Sequence, residues 1–561
     1  MAFLCWISIV VCLDPAGSYP RLPEGPGLTV DEVFNVQQGV YLVEQARALG
    51  WLNLIPGTSQ EAYRVENHYN PDHPPLGRWW LGVHHHLAWW LAPPFHPEGH
   101  FVTACARTGS ATAFALTVLM TGLFAARWFG RPAGLLTAIS LVLMPRLYGH
   151  AHLASLETVT NLTCTAAVLG LANWWSGTAP PSRKVALLTG ALLGLALLTK
   201  IQAVLIPIPV VCWALWRWRV KAVVPLVIWG CVAFAVFFVG WPYLWFDSST
   251  HLLEYLGRTT NRATIQVWYL GQKFADKQVP WHYPFVMFGL TVPVVLHALG
   301  LWGLIRTGGD HLRFLREGRA ARPELAPSTA TSPTASLSQP LASTEAAFAG
   351  GVLVLACALF PLVIFALPGV AVYDGERLFL TSFPLWAIFV GRGGAACWEW
   401  LCRRTQCQRW ATVFCSALLL ISATPLITMS PCHLGYYNEV VTYLPGGADR
   451  AGLEIDYWGE GITRGLLQQL VKTVPEGANV AVLPTMHPFQ ADDYRRQSPI
   501  LREHGIKTVE FHRTSGQPQF VLIYRRRADL DQQWESVKPD EQQGATTRHG
   551  SLLAYFIRLD P

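Results

Sequence analysis

Apolar runs of membrane-spanning length recur along most of this chain, separated by short polar or charged breaks. They cover 103–126, 132–150, 153–175, 184–200, 202–218, 222–245, 282–305, 346–370, 378–396 and 411–430. A helix needs about 20 largely apolar residues to cross a bilayer, and each run approaches that length. A further apolar run, "MAFLCWISIVVCLD", opens the chain. It has no basic n-region, and Val11 stands where a lipoprotein cleavage box takes a small residue, so it reads as a short first transmembrane helix. The pattern predicts a polytopic α-helical membrane protein of about 11 transmembrane helices, with a membrane domain over 1–430 and a small external α/β domain over 431–561.

Three stretches fall outside the spans. Residues 14–101 form a large first external loop, and the Pro/Ser/Thr/Ala-rich 323–345 reads as a disordered cytoplasmic linker. In 431–561, "NVAVLP" and "PQFVLIYRR" predict strands with a helix around 491–504 between them. Inside the first loop, Val33, Val36, Val40 and Val43 recur at helical spacing opposite Asn35, Gln38 and Gln45, an amphipathic helix suited to the membrane surface.

Composition strengthens the membrane reading. Residues are 51% hydrophobic and only 14% charged. The net charge of +6 does not imply nucleic acid, because the cations gather in alternate loops. Arg127 and Arg131, Arg183 and Lys184, Arg217 to Lys221, Arg306 to Arg322 and Arg392 to Arg409 fall on one side, which the positive-inside rule makes cytoplasmic. The 12 cysteines show no metal-binding or disulfide spacing and read as small apolar residues.

Candidate chemistry concentrates in the first loop. Thr29 with Glu32 three residues on fits a capping box, and Asp31 suits the first-turn dipole; a catalytic role is the alternative for both. Further on, "HPPLGRWWLGVHHHLAWW" starts a helix at Pro74-Pro75 and carries interfacial tryptophans. His84, His85 and His86 are consecutive, point in different directions on a helix, and read as packing. Elsewhere, Lys200 and Arg377 lie at the outer ends of spans, where a cation needs a function or a route to the headgroups. Arg258 and Arg262 read as headgroup contacts, and Glu157 as a helix cap or a partner of Arg146 unless it lines a site.

An Asp-Glu pair opening the first external loop, followed about forty residues later by "HPPLG", resembles the protein O-mannosyltransferases. These sit within the wider GT-C class of polyprenyl-phosphate-sugar glycosyltransferases, which includes the lipid A aminoarabinose transferases. "YGHAHLASLETVTNL", "LLTKIQAVLIP" and "ERLFLTSFPLWA" add to the resemblance, which covers roughly 28 to 430. Relatives commonly carry aspartate where Glu157 stands.

The resemblance implies transfer of a sugar, such as the hexose mannose, from a polyprenyl-phosphate carrier to an extracytoplasmic protein hydroxyl, lipid or glycan. It assigns Asp31 the general base, with Glu32 beside it, and predicts inversion by single displacement. His73, Arg78, Glu157, Lys200 and Arg377 become the substrate-binding set. No cofactor is expected, and a divalent metal stays open. The expected location is the inner (plasma) membrane, with the site and the C-terminal domain on the extracytoplasmic face. Rival readings are a transporter or flippase of lipid-linked sugars, a non-catalytic scaffold, and a metal-dependent oligosaccharide transferase that gathers Asp31, Glu32 and Glu157 around an ion.

Overall fold

Prolines and glycines decide where the predicted spans start and stop as helices. The structure, a computed structural model, describes residues 1–50, 62–260, 263–320, 339–444, 447–485, 488–511, 519–535 and 537–559. The first half carries α1 (Ala2–Val10), α2 (Glu32–Leu49), α3 (Pro75–Leu91), α4 (Thr103–Phe129), α5 (Arg131–Val142), α6 (Pro145–His150), α7 (Leu156–Trp174) and α8 (Arg183–Leu197). Then come α9 (Pro207–Trp218), α10 (Val223–Gly240), α11 (Ser248–Thr260) and the hairpin β1 (Gln266–Tyr269) and β2 (Gln272–Ala275). The bundle closes with α12 (Tyr283–Thr291), α13 (Val294–Ala320), α14 (Gln339–Phe365), α15 (Ser382–Thr405) and α16 (Gln408–Thr428). Proline occupies the first turn of α3, α6 and α9, where its missing N–H costs nothing.

Every predicted span contains helix, but not every helix has spanning length. Among the described residues, Thr103–Phe129, Ile201–Gly240, Glu345–Phe365 and Gln408–Thr428 are long and apolar enough to cross a membrane. The pair Tyr283–Thr291 and Val294–Arg313, bent by 107°, makes a fifth if it counts as one span. Pro145 splits the span expected over 132–150 into α5 and α6. At nine residues, α1 is roughly 14 Å long, short of a bilayer core. The expected linker overlaps α14 from Gln339 onward, where Pro and Ser/Thr give way to an alanine-rich run; its 323–338 portion lies outside the described residues. Arg262 and the Arg258 side chain also lie outside them. Three of the cation-rich loops meet, since Arg127, Asp310 and Arg392 line one cavity of about 540 Å³.

In α2 the four valines are buried as the spacing predicts, but Asn35 and Gln38 are buried too. Gln38 donates to the His68 carbonyl at 2.8 Å and accepts from the Asn70 N–H at 2.9 Å. The helix is therefore embedded in protein on both faces instead of lying on a membrane surface. Cys212 and Cys231 depart from the buried-cysteine expectation by lying exposed on α9 and α10.

The chain after 430 forms the short helices α17 (Glu439–Thr442) and α18 (Gly447–Arg450), then α19 (Arg464–Thr473), β3 (Asn479–Leu483), α20 (Pro488–Gln497) and α21 (Pro499–Glu503). It ends with β4 (Lys507–Glu510), β5 (Phe520–Tyr524), α22 (Gln532–Glu535), β6 (Gln542–Arg548) and β7 (Ser551–Arg558). The sheet runs β4-β3-β5-β7-β6, parallel in its first three strands and antiparallel in the rest. Alternate residues feed two cores: Val480, Val482 and Leu522 pack with Leu466 and Leu470, whereas Ala481, Val521 and Ile523 pack with Leu530 and Trp534. Residues 14–30 bind to this unit. Gly27 N–H donates to the Glu460 carbonyl at 2.8 Å, Val30 N–H to the Trp458 carbonyl at 3.1 Å, and Gln490 to the Val30 carbonyl at 3.1 Å.

Helices α2 and α3 touch backbone to backbone. A Cβ at Gly82 would sit 2.0 Å from the Gly39 carbonyl oxygen, and one at Gly39 2.5 Å from the Arg78 carbonyl oxygen. Gly82→Ala must part the helices, and we expect it to lower stability by about 1–3 kcal/mol, read as a drop in thermal midpoint in detergent.

Candidate functional site

Asp374 and Gly375 both take left-handed backbone conformations, with φ of 54° and 64°. Aspartate tolerates that region, and glycine is needed beside it because a Cβ at Gly375 would lie 2.9 Å from Arg146 Nη1. The turn swings Arg377, in the short helical turn Arg377–Phe379, into the space between α2, α7 and the C-terminal domain. There its guanidinium meets three carboxylates. Nη2 donates to Asp31 Oδ2, Nε to Glu157 Oε1 at 2.7 Å, and Nη1 to Asp374 Oδ2 at 3.0 Å. Lys200, between α8 and the next helical turn, donates to the same Glu157 oxygen at 2.5 Å. The Trp458 ring closes one face of the guanidinium at 4.6 Å.

Each member arrives on a different segment: Asp31 just before α2, Glu157 in the first turn of α7, Lys200 after α8, and Asp374 and Arg377 from one turn. The side chains of Glu157, Lys200 and Arg377 are 3%, 5% and 10% exposed. Asp31 is 29% exposed, which leaves it the accessible carboxylate of the cluster. Burial nevertheless raises the Asp31 carboxyl above its ordinary range, against the opposing pull of Arg377. Beside the cluster, Lys200, Arg377, His73, Tyr255, Phe365 and Val370 are among the residues lining a cavity of about 560 Å³. Cations at its rim and apolar side chains along its wall suit an anion with a hydrocarbon tail.

The other predicted residues separate. Glu32 is buried in a two-pronged pair with Arg107, Nε to Oε1 and Nη2 to Oε2, both 2.7 Å. Its oxygens also accept from the Thr29 and Ala154 N–H groups at 2.9 and 2.6 Å, so the expected reach back to Thr29 is present. Arg107 further binds the carbonyls of Leu13, Pro26 and Gly27. All these partners lie within the protein, so Glu32 braces the start of α2 and stands apart from the Asp31–Arg377 cluster. Arg78 is fully buried and donates to the Asn70 carbonyl at 2.6 Å and Asp72 at 2.8 Å, so it braces the turn before Pro74 and is not among the residues that line the cavity. His73 does line it; burial, aided by Lys200, Arg78 and Arg377, lowers its pKa to about 3, so the ring is neutral near pH 7. Glu157 pairs with Lys200 and Arg377, whereas Arg146 pairs with Glu376 at 2.6 Å. His85 accepts from the Val102 N–H at 3.1 Å, in keeping with packing. Among the described residues, no three His, Cys, Asp or Glu side chains gather as a metal site.

Sequence reasoning missed Asp374, Trp458 and Arg526. Arg526 Nη2 pairs with Asp374 Oδ1 at 3.1 Å, and Trp458 Nε1 donates to Asp374 Oδ2 at 3.3 Å. Asp374 lies three residues before Arg377 in "VYDGERLF", a proximity that could have flagged it; nothing local marks the other two.

The site thus joins a buried cation–carboxylate cluster to a cavity with largely apolar walls. Residues 36–255 match the family model described as dolichyl-phosphate-mannose-protein mannosyltransferase, in support of the resemblance drawn from the sequence. That stretch includes His73, Arg78, Glu157 and Lys200 and leaves out Asp31, Glu32 and Arg377. No curated protein matches the chain. Among solved structures, ArnT from Cupriavidus metallidurans bound to undecaprenyl phosphate is 13% identical, with 99% of this chain and 96% of that one covered and a TM-score of 0.43. The oligosaccharyltransferase AglB from Archaeoglobus fulgidus, in complex with an inhibitory peptide and a dolichol-phosphate, is 11% identical, with 93% and 68% covered and a TM-score of 0.45.

The Glu32–Arg107 brace is open to test. Arg107→Met leaves the Glu32 carboxylate buried without its cation, and we expect a loss of about 3–5 kcal/mol in stability, measured by thermal unfolding. Glu32→Gln, tested for activity on its surviving folded fraction, should retain turnover.

Proposed function

We propose that this chain is a membrane glycosyltransferase that moves a sugar, such as the hexose mannose, from a polyprenyl-phosphate carrier to an extracytoplasmic acceptor, with Asp31 as general base. The observation that carries the reading is the accessible Asp31 carboxylate hydrogen-bonded to Arg377, which also rims the apolar-walled cavity. Lys200 and Arg377 supply the cations a lipid phosphate requires, and neutral His73 supplies a ring nitrogen at the same cavity.

The chemistry follows from sharing one guanidinium. A donor phosphate at the cavity rim competes with Asp31 for the Arg377 N–H groups and frees the carboxylate to accept a hydrogen bond from the acceptor hydroxyl. As the acceptor oxygen bonds to the anomeric carbon, the bond from that carbon to the phosphate oxygen breaks, and the acceptor proton passes to Asp31. Protonation neutralises Asp31 as the leaving lipid phosphate gains charge, so Arg377 loses one anionic partner while another strengthens. A single displacement inverts the anomeric centre. Glu157, held by Lys200 and Arg377 together, keeps those cations apart and oriented.

The test is turnover by the full chain in detergent, with radiolabelled polyprenyl-phosphate-mannose and then other lipid-linked sugars, in the presence of an envelope acceptor extract. Asp31→Asn should cost about 10²–10⁴-fold in released polyprenyl phosphate while the thermal midpoint holds. Survival of turnover in a folded Asp31→Asn enzyme returns Asp31 to helix capping and sinks the mechanism.

The pH profile is a separate check. The base must be ionised, and its pKa is raised by burial, so kcat/KM should fall on acidification through a pH above the ordinary aspartate value of about 3.9. An acid limb at or below that value contradicts the assignment.

A further inference from the structure

The segment Asp456–Gly461 is a turn tied by its own first residue. Asp456 Oδ1 accepts the Gly459 and Glu460 N–H groups at 2.7 and 3.0 Å, and Oδ2 accepts that of Gly461 at 2.9 Å. Tied this way, the turn fixes Trp458, which is fully buried and touches both limbs of the cluster. Its ring lies 4.6 Å from the Arg377 guanidinium carbon, its Nε1 donates to Asp374, and its carbonyl accepts the Val30 N–H one residue before Asp31. Arg526 holds the other oxygen of Asp374 and donates to the Tyr457 carbonyl and to Asp529.

We propose that Trp458 and Arg526 are positioning residues for donor recognition: the indole face and the shared Asp374 carboxylate set Arg377 against the lipid phosphate, which makes the C-terminal domain part of the catalytic apparatus. This rests on the glycosyl-transfer reading. A planar guanidinium stacked on an aromatic face keeps its N–H edge free and pointed in one plane. Without the indole, Arg377 is free to turn out of that plane and to settle fully on Glu157 and Asp31, withdrawing its donors from the phosphate. Asp374 anchors Nη1 only while Arg526 and Trp458 hold its carboxylate in place.

A double-mutant cycle on the full chain tests this, with Trp458→Leu, Trp458→Phe, Arg377→Lys and the Trp458→Leu/Arg377→Lys pair. Trp458→Leu should raise the donor KM roughly tenfold with a smaller change in kcat, and Trp458→Phe, which keeps a ring face, should recover most of the loss. In the Arg377→Lys background Trp458→Leu should add little, because the two effects share one contact. Additive effects, or an activity loss that only tracks the folded fraction, overturn the proposal. If Trp458→Leu does not fold, Arg526→Lys, which keeps charge but loses the fork, must raise the donor KM severalfold or the proposal falls. Wild-type turnover with an unchanged KM in these variants removes this inference alone. A wild type that neither turns over any lipid-linked sugar nor binds polyprenyl phosphate removes the glycosyl-transfer reading, and this inference with it.

Discussion

A buried guanidinium needs anions on its edges, and the architecture around Arg377 meets that need from three directions. Asp31, Glu157 and Asp374 come from the first loop, the bundle and a tight turn, and none of them neighbours another in sequence. Taking such charges out of water costs several kcal/mol per ion, which the pairing within the cluster offsets. That constraint ties the segments carrying Asp31 and Glu157 to each other through Arg377 and links them, through Trp458 and Arg526, to the chain after 430.

Asp31 and Glu32 show how neighbours acquire opposite roles. Helical geometry sends consecutive side chains in different directions, so one reaches Arg377 and the other Arg107. Glu32 meets Arg107, two N–H groups and no solvent; Asp31 meets one guanidinium and keeps an open flank. The fully satisfied carboxylate gives rigidity, and the partly satisfied one stays accessible. Arg146 repeats the structural role, tying Glu376, next to Arg377, to the Tyr436 carbonyl.

Much of the bundle was legible because apolar run length is a local signal, and the strands at 479–483 and 520–524 were legible from their apolar, β-branched runs. Strand β6, "QQGATTR", is too polar for that signal, and β7 was overlooked although "SLLAYFIR" carries it. In the site, Lys200 and Arg377 could be picked out as cations at the ends of apolar runs, which is a property of their immediate surroundings. Trp458 and Arg526 could not, because their importance comes from contacts with residues far away along the chain. Arg78 was legible as a cation beside a proline turn, whereas its bonds to the Asn70 carbonyl and Asp72 were not. The embedding of α2 was hidden likewise, since its polar side finds partners in residues 68–70 instead of water.

The stapling of residues 27–30 to 458–490 has a consequence for the order in which the molecule comes into being. Synthesis delivers the Asp31 segment well before its partners, which follow 460 positions later in the case of Val30 and Gln490. A half-made chain can insert its apolar helices while the segment before Asp31 still lacks its clamp, and the closing contacts carry the loop-closure cost of the long span between them. The clamp on the Asp31 segment therefore closes only after residues 458–490 have been made and docked.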